Sequence, residues 1–224
     1  MNILALDTSL RDASLAVAKD GKVVRTKNYG FKKDLSAKLS GYIESILKAA
    51  SLTIKKVDVI VVGLGPGSFT GLRVGLATAK AISYSLRIPI IGVASLDAIA
   101  YGVPQEDAQI CVILDARRNL LYACRYEKKG GQLKRVDDYM LVPMEELLKT
   151  VKGQTVFVGD GINIGKERVL KHPGATLAAE KYGAPQAKHL IALASSRIAK
   201  KDFDEAATLV PIYLYAEDCQ VVNR

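Results

Sequence analysis

Two short stretches carry residues able to handle a phosphate or a hydrated metal. Each is an aspartate that closes an apolar run. The first is Asp7-Thr8-Ser9, after Ile3-Leu4-Ala5-Leu6, and the second is Asp115-Ala116-Arg117, after Val112-Ile113-Leu114. A carboxylate followed by hydroxyls at a strand end suits a cation or a phosphate. It also suits a turn satisfied by its own side chains. At the second bend Arg117 stands two residues after the aspartate. A small residue there would let backbone N–H groups reach a phosphate, whereas an arginine obstructs that approach and pairs with anions from the side. Complete nucleotide capture by this chain alone is therefore not expected. ATP or ADP shared with a partner stays open.

A third candidate is the loop Gly63-Leu64-Gly65-Pro66-Gly67-Ser68, which leads into Phe69-Thr70-Gly71-Leu72-Arg73. A helix N-terminus after a glycine loop attracts anions. The P-loop pattern fails, because no Gly-Lys-Ser/Thr ends the loop. The dinucleotide pattern fails as well, because its sixth position is Ser68 or Thr70 rather than glycine. The competing reading is a tight strand-to-helix turn, with Ser68 or Thr70 as its cap. Gly159-Asp160-Gly161 repeats the strand–glycine–helix theme later in the chain.

Metal chemistry of the zincin type needs histidines paired at helical spacing. The chain has two histidines, His172 and His189, far apart in sequence. No metal is expected. Ser9, Ser14 and Ser68 have no histidine near them in sequence to act as a base.

These candidates need strands and helices to hold them. The spacing predicts a strand over residues 2–7, a hairpin over 13–29 turning at Asp20-Gly21, and a helix over 32–50. A buried strand opens the stretch 57–86, whose second half is a helix. Ile90-Ile91-Gly92-Val93 is a further strand, and Ser95 caps a short helix. Residues 102–107 are polar and contain Pro104, which places a boundary between lobes of residues 1–104 and 105–224. The second half then repeats the first: strand, aspartate, turn, strand, glycine turn, strand, with helices near 143–151, 162–170 and 186–200. That echo suggests duplication.

Gly71, Gly75 and Ala79 fall four apart, so they share one helix face, bordered by Thr78 and Ile82. Two glycines inside a helix each cost about 1 kcal/mol relative to alanine, and close packing would offset that. Packing on the chain's own sheet is one reading. The sharper expectation is an interface with another chain, shared with Ser36, Ser40 and Ile43 of the preceding helix.

The chain has 224 residues and a net charge of +9, with 32 Lys and Arg against 23 Asp and Glu. That favours RNA or an acidic partner, although no basic run is dense enough to name a site. Three cysteines without CxxC spacing point to a reducing cytoplasm. No apolar run is long enough to span a bilayer, and residues 1–10 read as a strand rather than a targeting segment.

Met1 through Ser9 resembles the start of the TsaB (YeaZ) family, and Gly63 through Arg73 resembles that family's most recognisable motif. Leu114-Asp115-Ala116-Arg117-Arg118, Gly159-Asp160-Gly161 and Pro211-Ile212-Tyr213-Leu214 are similar too, in the same order. The resemblance implies an α/β, two-lobed, duplicated actin-like (ribonuclease H-like) fold of mixed sheets flanked by helices. It implies a cytoplasmic, non-catalytic subunit that helps place threonylcarbamoyl on the adenosine beside the tRNA anticodon. The implied partners are a TsaD-like catalytic subunit, a TsaE-like ATPase of the same pathway, tRNA, and a second copy of this chain when it is alone. On this reading Asp7, Thr8, Ser9, Asp115, Arg117, Gly159, Asp160 and Gly161 are vestigial phosphate-loop positions. The alternative is an independent glycoprotease-like hydrolase or ATPase. One departure from the family is Leu35-Ser36, where members often carry His-Ser.

Overall fold

The computed structural model describes residues 1–30 and 34–215. The described residues form two compact units: residues 1–104 with 184–211, and residues 105–183 with 212–215.

The first unit opens with β1 (Asn2–Asp7), β2 (Asp12–Lys19) and β3 (Lys22–Gly30). Asp20 and Gly21 turn the β2–β3 hairpin in left-handed conformations, as a two-residue hairpin loop requires. Then come α1 (Leu35–Ala49), β4 (Val59–Gly63), α2 (Phe69–Leu86), β5 (Ile90–Val93) and α3 (Ser95–Gly102). The sheet order is β3-β2-β1-β4-β5. β1 pairs antiparallel with β2 and parallel with β4, and β4 pairs parallel with β5.

Alternate residues of these strands go to opposite faces. Leu4, Leu6, Leu15, Val17, Ile60 and Val62 pack under Leu35, Leu39, Ile43 and Leu47 of α1 and Leu76 and Ala79 of α2. Ile3, Ala5, Ala16, Ala18, Val59 and Val61 face the other way, against Ala187, Leu190, Ile191, Ala194 and Ile198. Those five belong to a helix of the chain's last quarter (Ala187–Ala199). The sequence reading placed that helix in the second lobe. The structure returns it to the first unit, because the second face of the β1–β5 sheet is apolar and needs a cover.

The second unit contains β6 (Ala108–Asp115), β7 (Leu120–Lys129), β8 (Gln132–Arg135), β9 (Met140–Pro143), α4 (Met144–Thr150), β10 (Thr155–Val158), α5 (Ile162–Lys171) and β11 (Ala175–Leu177). The helix Ala187–Ala199 is therefore α6. The order here is β11-β10-β6-β7-β8, with β9 also pairing β7. β6 pairs antiparallel with β7 and parallel with β10. Position for position this repeats the first sheet, so the duplication is real. Cys111, Ile113, Leu121, Ala123 and Phe157 pack against Met144, Leu147 and Val151 at α4 and Val169 of α5.

Several boundaries moved. The expected strand start at residue 57 lies at Val59, after a short 3-10 turn at Ile54–Lys56. The expected helix over 32–50 is described from Leu35, and its first residues lie outside the described set. The extended tail is described as far as Tyr215, so Cys219 also lies outside.

Candidate functional site

β1 ends in the middle of its sheet, between β2 and β4. Asp7, Thr8 and Ser9 are each buried to about 1% exposure or less. Asp7 Oδ1 accepts from the Ser9 N–H at 2.8 Å and from the Ser9 hydroxyl at 2.6 Å. Asp7 Oδ2 accepts from the Ser95 hydroxyl at 2.6 Å. Ser95 Oγ in turn accepts from the Gly65 N–H at 3.0 Å, and the Ser95 N–H donates to the Gly65 carbonyl at 2.8 Å. Burial pushes the Asp7 carboxyl above its ordinary range, and the donors from Ser9 and Ser95 oppose that rise.

The sequence pattern predicts Ser95 as a helix cap. α3 instead starts at Ser95 with Ala94 in the cap position. The Ser95 side chain is spent on Asp7, a contact between residues 88 apart that no local pattern signals.

The glycine loop closes over this bend. A Cβ on Gly63 would fall under 3.0 Å from Asp7 Oδ2, one on Gly67 equally close to the Ser9 carbonyl, and one on Gly71 equally close to the Thr8 carbonyl. A Cβ on Gly75 would meet Thr8 Oγ1, which donates to the Gly71 carbonyl at 2.7 Å. The Ser68 N–H donates to the Ser9 carbonyl at 2.7 Å, and Ser68 Oγ caps α2 by accepting from the Gly71 N–H. The Gly65–Pro66 peptide is cis. The motif's glycines are thus the seats for β1's terminal bend.

That corrects one expectation. Gly71, Gly75 and Ala79 are buried within the chain, as is Ile43, so none of them forms an outward interface. Their face packs inward because Thr8 and the sheet approach α2 closely. Ser36 and Ser40 are exposed, and Thr78 and Ile82 half-exposed, so these four remain on the outer side of α1 and α2.

The second bend is built differently. Asp115 Oδ1 accepts from the Arg117 N–H at 2.7 Å, and Oδ2 pairs with the Arg117 guanidinium at 3.3 Å. Asp160 Oδ1 accepts from the Asp115 N–H at 2.9 Å. Gly159 and Gly161 press on Ile113 of β6, as Gly63 presses on β1 in the other unit. Gly159 also has φ +116, which a side chain would strain. Arg117 projects outward with 79% of its side chain exposed. Among the described residues, no group of three His, Cys, Asp or Glu side chains could hold a metal ion. Nor is any helix among them long and apolar enough to cross a membrane.

Comparison with known proteins bears on this architecture directly. The family model described as TsaD, tRNA N6-adenosine threonylcarbamoyltransferase, matches residues 30–221. The tRNA threonylcarbamoyladenosine biosynthesis protein TsaB of Bacillus subtilis is 33% identical over 172 residues, 75% of each chain. Its Escherichia coli counterpart is 25% identical, over 96% of this chain and 94% of its own. YeaZ from Pseudomonas aeruginosa superposes with a TM-score of 0.82 at 25% identity, covering 95% of this chain and 99% of its own. MreB5 of Spiroplasma citri, solved with ADP, shares only the fold, with a TM-score of 0.51 at 9% identity. The duplicated actin-like fold, the glycine motif seated on β1 and the near full-length relatives agree: this chain belongs to the TsaB (YeaZ) family.

Proposed function

We propose that the chain serves tRNA threonylcarbamoyladenosine biosynthesis as a non-catalytic subunit that pairs with a TsaD-like catalytic relative. The observation that carries the non-catalytic part is the closure of the first bend. Both Asp7 oxygens are taken by donors of the chain itself, and the Gly63 main chain lies against Oδ2. A phosphate or hydrated cation would have to displace that main chain to reach the carboxylate. The acid is structural here: it ties β1, the glycine loop and α3 together.

The outer side of α1 and α2 supports pairing. Ser36, Ala37, Ser40 and Gly41 on α1, with Ala77 and Ala81 on α2, are exposed and small. At the ends of α2, Phe69 and Tyr84 are 51% and 84% exposed, and Arg73 stacks over Phe69 at 3.7 Å. Small residues let another helix approach closely, and exposed aromatics and arginine are the usual anchors of an interface. The occupant would be the TsaD-like subunit, or a second copy of this chain in its absence. A TsaE-like ATPase and tRNA complete the assembly, and any nucleotide would be held by those partners.

The test is reconstitution with a TsaD-like enzyme, tRNA, ATP and the threonylcarbamoyl donor. Folded Asp7→Asn protein should support modification as well as the unaltered chain does. Modification that disappears with Asp7→Asn while pairing persists would mean that Asp7 takes part in the chemistry, and would overturn the non-catalytic part of the proposal.

A further inference from the structure

Two of the hairpin turns among the described residues follow the usual chemistry. Asp20-Gly21 turns β2 into β3, and Gly130-Gly131 turns β7 into β8, with glycine taking left-handed backbone in each. The β6–β7 turn does not. Arg117, Arg118 and Asn119 have φ of 69°, 53° and 60°, three successive left-handed residues without a glycine. Such residues carry strain that local structure must hold. Here the Leu120 N–H donates to the Arg117 carbonyl and the Ala116 N–H to the Leu120 carbonyl. The side chains gain little burial in return, since all three residues are exposed.

Beside this turn lies a hollow of about 320 Å³ whose lining includes Arg118, Asn119, Glu145, Ile164 and Arg168. Arg168 reaches it from α5, held by an ion pair with Glu145 and by donation to the Ile164 carbonyl. Asp115 fixes the Arg117 guanidinium from behind. Arg118 and Arg168 thus line the hollow, with Arg117 beside Arg118 on the same turn, and Arg117 and Arg168 are each oriented by a carboxylate. Guanidinium groups match phosphate oxygens in geometry and stay charged.

We infer that the Arg117-Arg118-Asn119 turn, with Arg168 across the hollow, grips the phosphodiester backbone of tRNA. This rests on the tRNA-modification reading above. It adds a contact from this chain to the nucleic acid, independent of the pairing face on α1 and α2. Free phosphate offers the same chemistry without the polymer, so the test separates the two.

The experiment measures binding of a fluorescent unmodified tRNA transcript to the full chain across a salt series. The variants are Arg117→Gln with Arg118→Gln, Arg118→Gly alone, and the control pair Lys134→Gln with Lys149→Gln elsewhere on the same unit. Removing each arginine should weaken binding about tenfold, the scale of one charge-assisted hydrogen bond. The slope of log affinity against log salt should fall by about 1 for each phosphate that is no longer neutralised. Arg118→Gly should weaken binding while raising the melting temperature, because glycine relieves the left-handed strain. That variant keeps the test decisive if the double change unfolds. Wild-type chain with no measurable tRNA affinity at low salt would overturn the proposal. So would an equal weakening in the lysine control, or inorganic phosphate competing in the low millimolar range with no dependence on Arg117 or Arg118. Pull-down of the catalytic relative, run in parallel, reports on the pairing reading separately, since the arginine variants should pair normally.

Discussion

Gly75 carries no side chain because Thr8 occupies the space: a Cβ there would fall under 3.0 Å from Thr8 Oγ1, which is itself committed to the Gly71 carbonyl. In a helix interior, alanine is ordinarily better than glycine by about 1 kcal/mol. Here the clash should outweigh that gain. Gly75→Ala should destabilise by about 1–3 kcal/mol, the range for overpacking a dense core. Thr8→Ala removes the obstructing atoms, so the double variant should recover part of the loss. Urea denaturation of the four proteins measures this coupling. A Gly75→Ala protein at least as stable as the parent would refute it.

Asp7 should leave a signature in the pH dependence of stability. Its folded-state affinity for a proton is raised by burial. The folded protein therefore binds more proton than the unfolded chain from about pH 3.9, the ordinary aspartate value, up to the raised folded value. Stability from this group is full below that window and is lost as pH rises through it. Asp7→Asn cannot titrate. The stability of Asp7→Asn relative to wild type should thus climb with pH inside the window and level off above it. Parallel profiles for the two proteins would mean that Asp7 is not held as described.

The Arg197–Asp204 pair behaves in the opposite sense. Arg197 donates from Nη2 and Nη1 to the two Asp204 oxygens at 2.8 and 3.2 Å, and the Gly92 N–H donates to Asp204 Oδ2 at 2.7 Å. Burial works against the Asp204 charge, yet these donors hold its carboxyl below the usual range. The stability it supplies is present above the unfolded aspartate value and is lost as pH falls through the lowered folded value. Asp204→Asn should cost about 1–3 kcal/mol at neutral pH, the scale of a charged hydrogen-bond partner removed. The deficit should shrink on acidification. Thermal melts at neutral and acid pH measure it, and an unchanged deficit would contradict the sign.

Much of this is legible in the sequence. Continuous apolar runs over residues 3–6 and 59–62 mark strands buried on both faces, and the repeat of strand, aspartate and turn discloses the duplication. Four-residue spacing showed that Gly71, Gly75 and Ala79 share a face, but spacing says nothing of what lies opposite, and Thr8 is 67 residues from Gly75 in sequence. The same holds for Ser95, whose partner Asp7 is far away. Sequence order alone puts α6 with the wrong unit, because an apolar stripe fits any apolar sheet. β9 and β11, at four and three residues, are too short to carry a periodic signal.

If the outer side of α1 and α2 is the pairing face, changes confined to it should abolish co-elution with a TsaD-like subunit. Ser40→Arg with Ala77→Arg places two long cations on exposed positions of α1 and α2, where they should leave the fold intact. This protein should melt as wild type does, run as a monomer and no longer co-elute with the catalytic relative. A folded variant that still co-elutes with undiminished affinity would contradict it.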